Sequence, residues 1–137
     1  MKDMNEMQRS VKEFHEKYDA IPLPNEPTMP THEIRLLRTR LIIEETAEFV
    51  EAASRGDMVE MVDALCDLLY VTFGTALFLG IDVEPVFQEV QRSNMTKDGG
   101  GQDCAGKICK GPSFEPPNVL GCLQDQGWWE DTGGKHV

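Results

Sequence analysis

Residues 32–80 read HEIRLLRTRLIIEETAEFVEAASRGDMVEMVDALCDLLYVTFGTALFLG, two long helical segments joined at Arg55-Gly56-Asp57. Thr31 offers a hydroxyl N-cap to the first segment, and polar His32 and Glu33 open it. Gly56 stops it, and Asp57 with Glu60 three residues later has the form of a capping box that starts the second, which ends at Gly80. Projected at 100° per residue, Ile34, Leu37, Leu41 and Ala52 fall on one narrow stripe, and Glu45 and Glu48 lie on the same stripe, facing inward. Glu44 and Glu51 fall toward its flank and fit either a wet helix face or a site. In the second segment Asp63, Asp67, Tyr70, Gly74 and Leu77 share a stripe, with Glu60 at its edge. An antiparallel hairpin about residues 55–57 then sets Glu48 opposite Asp63 and Glu45 opposite Asp67.

Outward from this hairpin, Met4, Met7, Val11, Phe14 and Tyr18 recur at steps of three and four, while Lys12, Glu13, Glu16 and Lys17 fill the opposite face of a first helix. Pro22, Pro24, Pro27 and Pro30 make residues 21–30 an extended connector. Asp82 caps a fourth helix carrying Val83, Val86, Phe87 and Val90, with Pro85 in its tolerant first turn. Beyond Asn94, Asp98-Gly99-Gly100-Gly101-Gln102-Asp103 is a glycine-rich loop, residues 107–114 are irregular or a small hairpin, and residues 116–123 have room for one more helical turn. No strand periodicity appears. The expected class is all-α, a small four-helix-type bundle with an irregular glycine- and proline-rich C-terminal segment. Its domain would span residues 1–123, followed by a flexible tail over 124–137 in which Trp128 and Trp129 have no evident role.

The 137 residues carry a formal charge of −11, with 24 acids against 13 Lys and Arg. No basic cluster is present to release counterions from a phosphate backbone, which argues against a nucleic-acid polymer and, for the same reason, an anionic membrane surface. The apolar stretch Leu68 to Gly80 reads as a core helix, too short and too interrupted to span a bilayer. The first residues carry neither an apolar signal region nor an arginine-rich transit pattern, so a cytoplasmic setting is expected. Cys66, Cys104, Cys109 and Cys122 fit that setting as free thiols, since they lack the paired spacing of a zinc site. His15 and His32 fit solvated helix positions, and no nucleophilic triad or phosphate-loop glycine pattern offers a rival chemistry.

Carboxylates gathered inside a helical bundle are costly if ionised and unpaired, so they take up protons or hold cations. An all-oxygen donor set with no His or Cys selects Mg²⁺, or Mn²⁺, over Zn²⁺. Glu45, Glu48, Asp63 and Asp67 are the candidate ligands. Glu60 fits a ligand or a cap, because a glutamate there can reach back to a free helix N–H. Asp67, between Leu65-Cys66 and Leu68-Leu69, has no such alternative use.

The run Glu44-Glu45-Thr46-Ala47-Glu48, followed by Asp63-Ala64-Leu65-Cys66-Asp67-Leu68-Leu69-Tyr70, resembles the MazG-like, all-α nucleoside triphosphate pyrophosphohydrolase superfamily, which includes phosphoribosyl-ATP pyrophosphohydrolases. Residues 92–97 (Arg92-Ser93-Asn94-Met95-Thr96-Lys97) and 110–114 (Lys110-Gly111-Pro112-Ser113-Phe114) are similar to a subgroup of it, so the resemblance spans about residues 35–117. One departure stands out: the family's second pair is a glutamate three residues before the aspartate, and that position is Ala64. Asp63, four residues before Asp67, projects to the same face; alternatively Glu60 and Asp63 form the pair. The resemblance implies an enzyme that hydrolyses a nucleoside triphosphate between the α and β phosphates, with Mg²⁺ held by the acids and Glu44 or Glu45 orienting the attacking water. It further implies that Arg92, Asn94, Lys97 and Lys110 hold the phosphates or the base, that Tyr70 with Phe14 and Tyr18 is available to stack on the base, although aromatics at helical spacing read first as core packing, and that the chain forms a homodimer or homotetramer. The alternative reading, motivated by Ala64, is a metal- or nucleotide-binding helical module without turnover.

Overall fold

Each helix of the chain starts on a short polar residue whose side chain satisfies a free backbone N–H. The computed structural model describes residues 5–19 and 21–129. It contains α1 (Glu6–Tyr18), α2 (His32–Arg55), α3 (Met58–Phe78), α4 (Val83–Asn94) and α5 (Val119–Asp125). Asn5 accepts from Gln8 N–H at 2.8 Å, Thr31 from Ile34 at 3.3 Å, Asp57 from Glu60 at 3.1 Å, Asp82 from Glu84 at 3.1 Å and Asn118 from Gly121 at 3.0 Å. Gly56 ends α2 in the left-handed conformation at φ 65°, where a Cβ would be penalised. The all-helical class holds. The described residues contain no strand, only an isolated antiparallel bridge between Gln102 and Ile108 in the glycine-rich loop.

The α2–α3 hairpin is the main body, α1 lies along α3, and α4 carries α5. Val11 and Leu77 form the centre of the core with Leu23 and Phe73 against them, and Ala52, Ala64, Ala76 and Phe78 are also buried. Two seams differ from the expected ones by about one residue. On α1 the buried positions are Gln8, Val11 and His15, while Met7, Phe14 and Tyr18 face outward. His15 is therefore not solvated: its ring meets Phe78 edge-on at 5.1 Å and Nδ1 hydrogen-bonds the Asp19 carboxylate. On α2 the helix turns Arg38, not Leu37, into the seam with α3. Gln8 links α1 to the α3–α4 connection by donating to Ile81 O at 2.8 Å and accepting from Val83 N–H at 3.2 Å.

The proline-rich connector crosses the end of α3, where Thr28 N–H donates to Leu79 O at 2.9 Å. Gly80, at φ 69°, is needed there twice over, since a Cβ would run into the carbonyl oxygen of Glu26. By length and composition α3 is long and apolar enough to cross a membrane, a property that reading only residues 68–80 had excluded. In this fold it packs instead against α1 and α2, with Asp67 part-buried in the seam.

The segment after α4 folds back on it. Ser93 Oγ donates to Glu115 O at 2.8 Å, Glu115 N–H to Thr96 Oγ1 at 2.8 Å, and Gln126 bonds both Asp82 N–H and Asp82 O, at 2.8 and 2.9 Å. Ordered chain continues past residue 123: α5 runs to Asp125, and Trp128 lines an apolar cavity of about 270 Å³ with Met29, Leu79, Ile81 and Val86. Met4 and residues 131–137, read from the sequence as a helix position and a frayed tail, lie outside the described residues. The four cysteines are free thiols, as expected.

Glu89 is the main tether of this segment, taking the Arg92 guanidinium at 2.8–3.2 Å and the Asn118 N–H at 2.9 Å. Those contacts, Arg92 first, hold its carboxyl down at about 2. A carboxyl lowered by folding contributes stability above its unfolded value, about 4.3, that is lost as pH falls through the folded one. Between about pH 5 and pH 2, tryptophan fluorescence should therefore report a loosening of the Trp128 environment, and Glu89→Gln should show the loosened signal already at neutral pH.

Candidate active site

The hairpin register determines which acids meet. One ligand oxygen from each of Glu45, Glu48 and Asp67 can lie within 4.8 Å of the other two. Glu45 and Asp67 are part-buried, Glu48 is exposed, and Glu45 Oε2 is fully buried with no hydrogen-bond donor reaching it. Burial, then the close approach of the Glu48 carboxyl and the charges of Glu48, Asp67 and Glu44, push the Glu45 carboxyl up. Burial and the charges of Asp63 and Glu48 do the same to Asp67. The cluster is short of positive charge by construction.

Next to it is a cleft of about 100 Å³ lined by Glu48, Glu51, Arg55, Glu60 and Asp63, with Ala52 and Ala64 in its wall. Arg55 is paired with Glu51 at 2.8 Å, so the one guanidinium in the lining is already used. The Asp57 side chain takes the Glu60 N–H, while the Asp57 N–H goes to Ala52 O. The Glu60 carboxylate therefore does not serve as the second half of a capping box; it lines the cleft. Glu44 is exposed one residue before Glu45. Tyr70, three residues beyond Asp67, is half-exposed and meets Phe14 edge-on at 5.6 Å, and Phe14 contacts Tyr18 at 5.1 Å, which forms an aromatic shelf beside the acids.

The remaining candidates gather elsewhere. Arg92, Asn94, Lys97 and Lys110 sit at the end of α4 and in the following loop, and none lines the acidic cleft. Arg92 is held by Glu89 and also approaches Glu115 at 3.5 Å. Lys97 is part-buried, and the Lys110 ammonium sits 4.9 Å from the centre of the Phe114 ring. Sequence reasoning missed Arg38, which is buried in the same α2–α3 seam as the acids. Its signal was present only as an arginine seven positions before Glu45, the same face of a helix.

Oxygen-only donors, a buried carboxylate oxygen with no partner and a local excess of negative charge fit a hard divalent cation. A helical hairpin that presents such a set beside an open cleft defines a class, the all-helical hydrolases that act on phosphoanhydrides through carboxylates and metal. The family model for phosphoribosyl-ATP pyrophosphohydrolase matches residues 11–94. This chain belongs to that family, and it is a divalent-metal-dependent pyrophosphohydrolase acting on nucleotide phosphoanhydride bonds. Compared with curated proteins, the chain matches none.

Carboxyls raised in the fold stabilise the metal-free protein below their ordinary range, and that contribution is lost as pH rises through the raised values. The metal-free protein should accordingly melt lower at pH 8 than at pH 5, and Mg²⁺ should restore the difference. Asp67→Asn should raise the metal-free melting temperature at pH 8 by about 4 °C, equivalent to about 1 kcal/mol after allowing for solvent at its open side, and should abolish the response to Mg²⁺.

Proposed function

We propose that this protein is a Mg²⁺-dependent nucleoside triphosphate pyrophosphohydrolase that cleaves between the α and β phosphates, releasing a monophosphate and pyrophosphate, in cytoplasmic house-cleaning of the nucleotide pool. The observation that carries the reading is the convergence of Glu45, Glu48 and Asp67 around a carboxylate oxygen with no partner. These three acids, with Asp63 and Glu60 from the cleft, would hold Mg²⁺ or Mn²⁺. Bound there, the ion supplies charge neutralisation of the phosphates and a more acidic water. Glu44 and Glu45 differ in access: exposed Glu44 is free to accept a proton from the attacking water, while Glu45 stays in the seam and fixes the ligand set. Tyr70, with Phe14 and Tyr18, offers ring faces and edges to a base. Asn94, Lys97, Lys110 and Arg92 are proposed for the phosphates, with Arg92 exchanging part of its contact with Glu89 for substrate.

A homodimer or homotetramer is part of this reading. Met58, Val59, Val62, Leu65 and Leu69 on α3, with Ile43 and Val50 on α2, are exposed apolar side chains on the two longest helices. A surface of that extent is characteristic of an interface. Assembly would also let the basic end of α4 in one copy approach the acids of another, which a single chain keeps apart.

With Mg²⁺ and a panel of canonical and modified (d)NTPs together with phosphoribosyl-ATP, at least one triphosphate should yield monophosphate and pyrophosphate by mass spectrometry. Turnover of phosphoribosyl-ATP alone would replace the proposed substrate class, and tight binding of nucleotide without any hydrolysis would replace the enzyme by a binding module. Glu44→Gln should lower kcat about 100-fold or more, and size-exclusion chromatography should give at least a dimer.

A further inference from the structure

Arg38 is 6% exposed, inside the seam between α2 and α3. Its Nε donates to Thr75 Oγ1 at 3.1 Å and its Nη2 to the backbone carbonyl of Val71 at 2.9 Å, so a residue of α2 grips α3 at an oxygen pair that is itself tied together, Thr75 Oγ1 donating to Val71 O at 2.7 Å. Phe78 lies under the guanidinium, 5.2 Å from its centre to the carbon, and Asp19, the C-cap of α1, supplies a favourable charge. Gly74 makes the space, since a Cβ there would run into Arg38 Nη2. Burial disfavours the charge, as the lowered Arg38 pKa reflects. An ion pair or buried charge of this kind is seldom a net gain over an apolar side chain of similar size, so stability alone does not explain it.

Its position does. Arg38 lies seven residues before Glu45 on the same face of α2, about 10 Å along the axis. Val71 and Thr75 lie one and two turns beyond Asp67 on the same face of α3. Apolar side chains tolerate small slides and rotations of one helix on another. A planar guanidinium bonded to a fixed carbonyl and a fixed hydroxyl tolerates neither, because both bonds fail together. We propose that Arg38 is a positioning residue for the acidic cluster: it sets the rotation and register of α3 on α2 so that Asp67 meets Glu45 and Glu48. This rests on the metal-site reading above, and it extends to residues that touch neither metal nor substrate.

The test reads Mn²⁺ affinity by calorimetry on the whole 137-residue chain without nucleotide, beside the melting temperature. Arg38→Met should keep a melting temperature near that of the parent yet bind Mn²⁺ at least about tenfold more weakly, the loss typical of groups that orient metal ligands. Arg38→Lys, which keeps the charge and loses the fork, should also bind weakly, and full recovery by lysine would overturn the geometric role. Thr75→Val removes one of the two contacts and should weaken binding by about two- to threefold; it carries the test if Arg38→Met does not fold. Leu77→Ala is the control for general loosening: it should melt lowest while staying within about twofold of parental affinity in conditions where it is folded. Parental affinity in both Arg38→Met and Thr75→Val, or an equal loss in Leu77→Ala, would overturn the proposal. A parent that binds no Mn²⁺ would overturn the metal site itself, a result distinct from the other two.

Discussion

The structure turns on one conflict: Glu45 and Asp67 are drawn into a helix seam where neither finds a cation among the side chains around it. Helix propensity does not put them there. Apolar residues on both sides of each acid force the two helices together, and the acids follow because they share the buried stripe. Like charges brought this close cost free energy that the seam does not return by itself. The fold therefore retains a deficit of positive charge at one place, and a divalent ion that arrives with phosphate fits it in sign, in hardness and in the open side of the cleft.

The surroundings of that conflict are built for definition as much as for stability. The core proper is small, Val11 and Leu77 with two part-buried neighbours. Around it, buried polar groups set angles: Gln8 bridges to Ile81 and Val83, His15 to Asp19, and Arg38 to Val71 and Thr75. Each bond joins two different elements or closes a helix end. Polar contacts of this kind contribute modest net free energy, about 1 kcal/mol each, but they penalise the wrong register far more than apolar contacts do. A chain with much apolar surface left outside has little to spare in its own core. Directional contacts are the economical way for it to hold a site in place before, or without, a second copy.

This division also explains what could be read from the sequence. The hairpin and its acids were legible because two caps, Thr31 and Asp57, and one glycine, Gly56, fix where the helices start and stop, and a period of 3.6 then fixes who faces whom. The seam itself was read one residue off, with Leu37 preferred to Arg38 and Phe14 to His15. α2 is apolar on more than one side, through Leu36, Leu37, Leu41, Ile42, Ile43 and Val50. A helix that buries one face in its own chain and leaves another exposed gives a blurred projection. Which apolar face goes inward depends on partners in three dimensions, and a long polar residue in the inner face looks the same in one dimension as a solvated one. The aromatic shelf was legible as a set, since Phe14, Tyr18 and Tyr70 do meet, but its exposure was not.

Ala64, three residues before Asp67, stands where the resemblance leads us to expect a glutamate, and its surroundings suit a methyl group. It is 3% exposed and Ala52 of α2 is 2% exposed; both lie in the wall of the cleft that Glu48, Glu51, Glu60 and Asp63 line. Two methyl groups let α2 and α3 approach closely at this level. A glutamate at 64 would have to push the helices apart or occupy the cleft with its own side chain. Asp63, one residue earlier, reaches the same cleft from its rim while Ala64 keeps the wall thin. An acid at 63 with a methyl at 64 thus places a carboxylate at the rim of the cleft, and it leaves undisturbed the seam in which Glu45 and Asp67 converge.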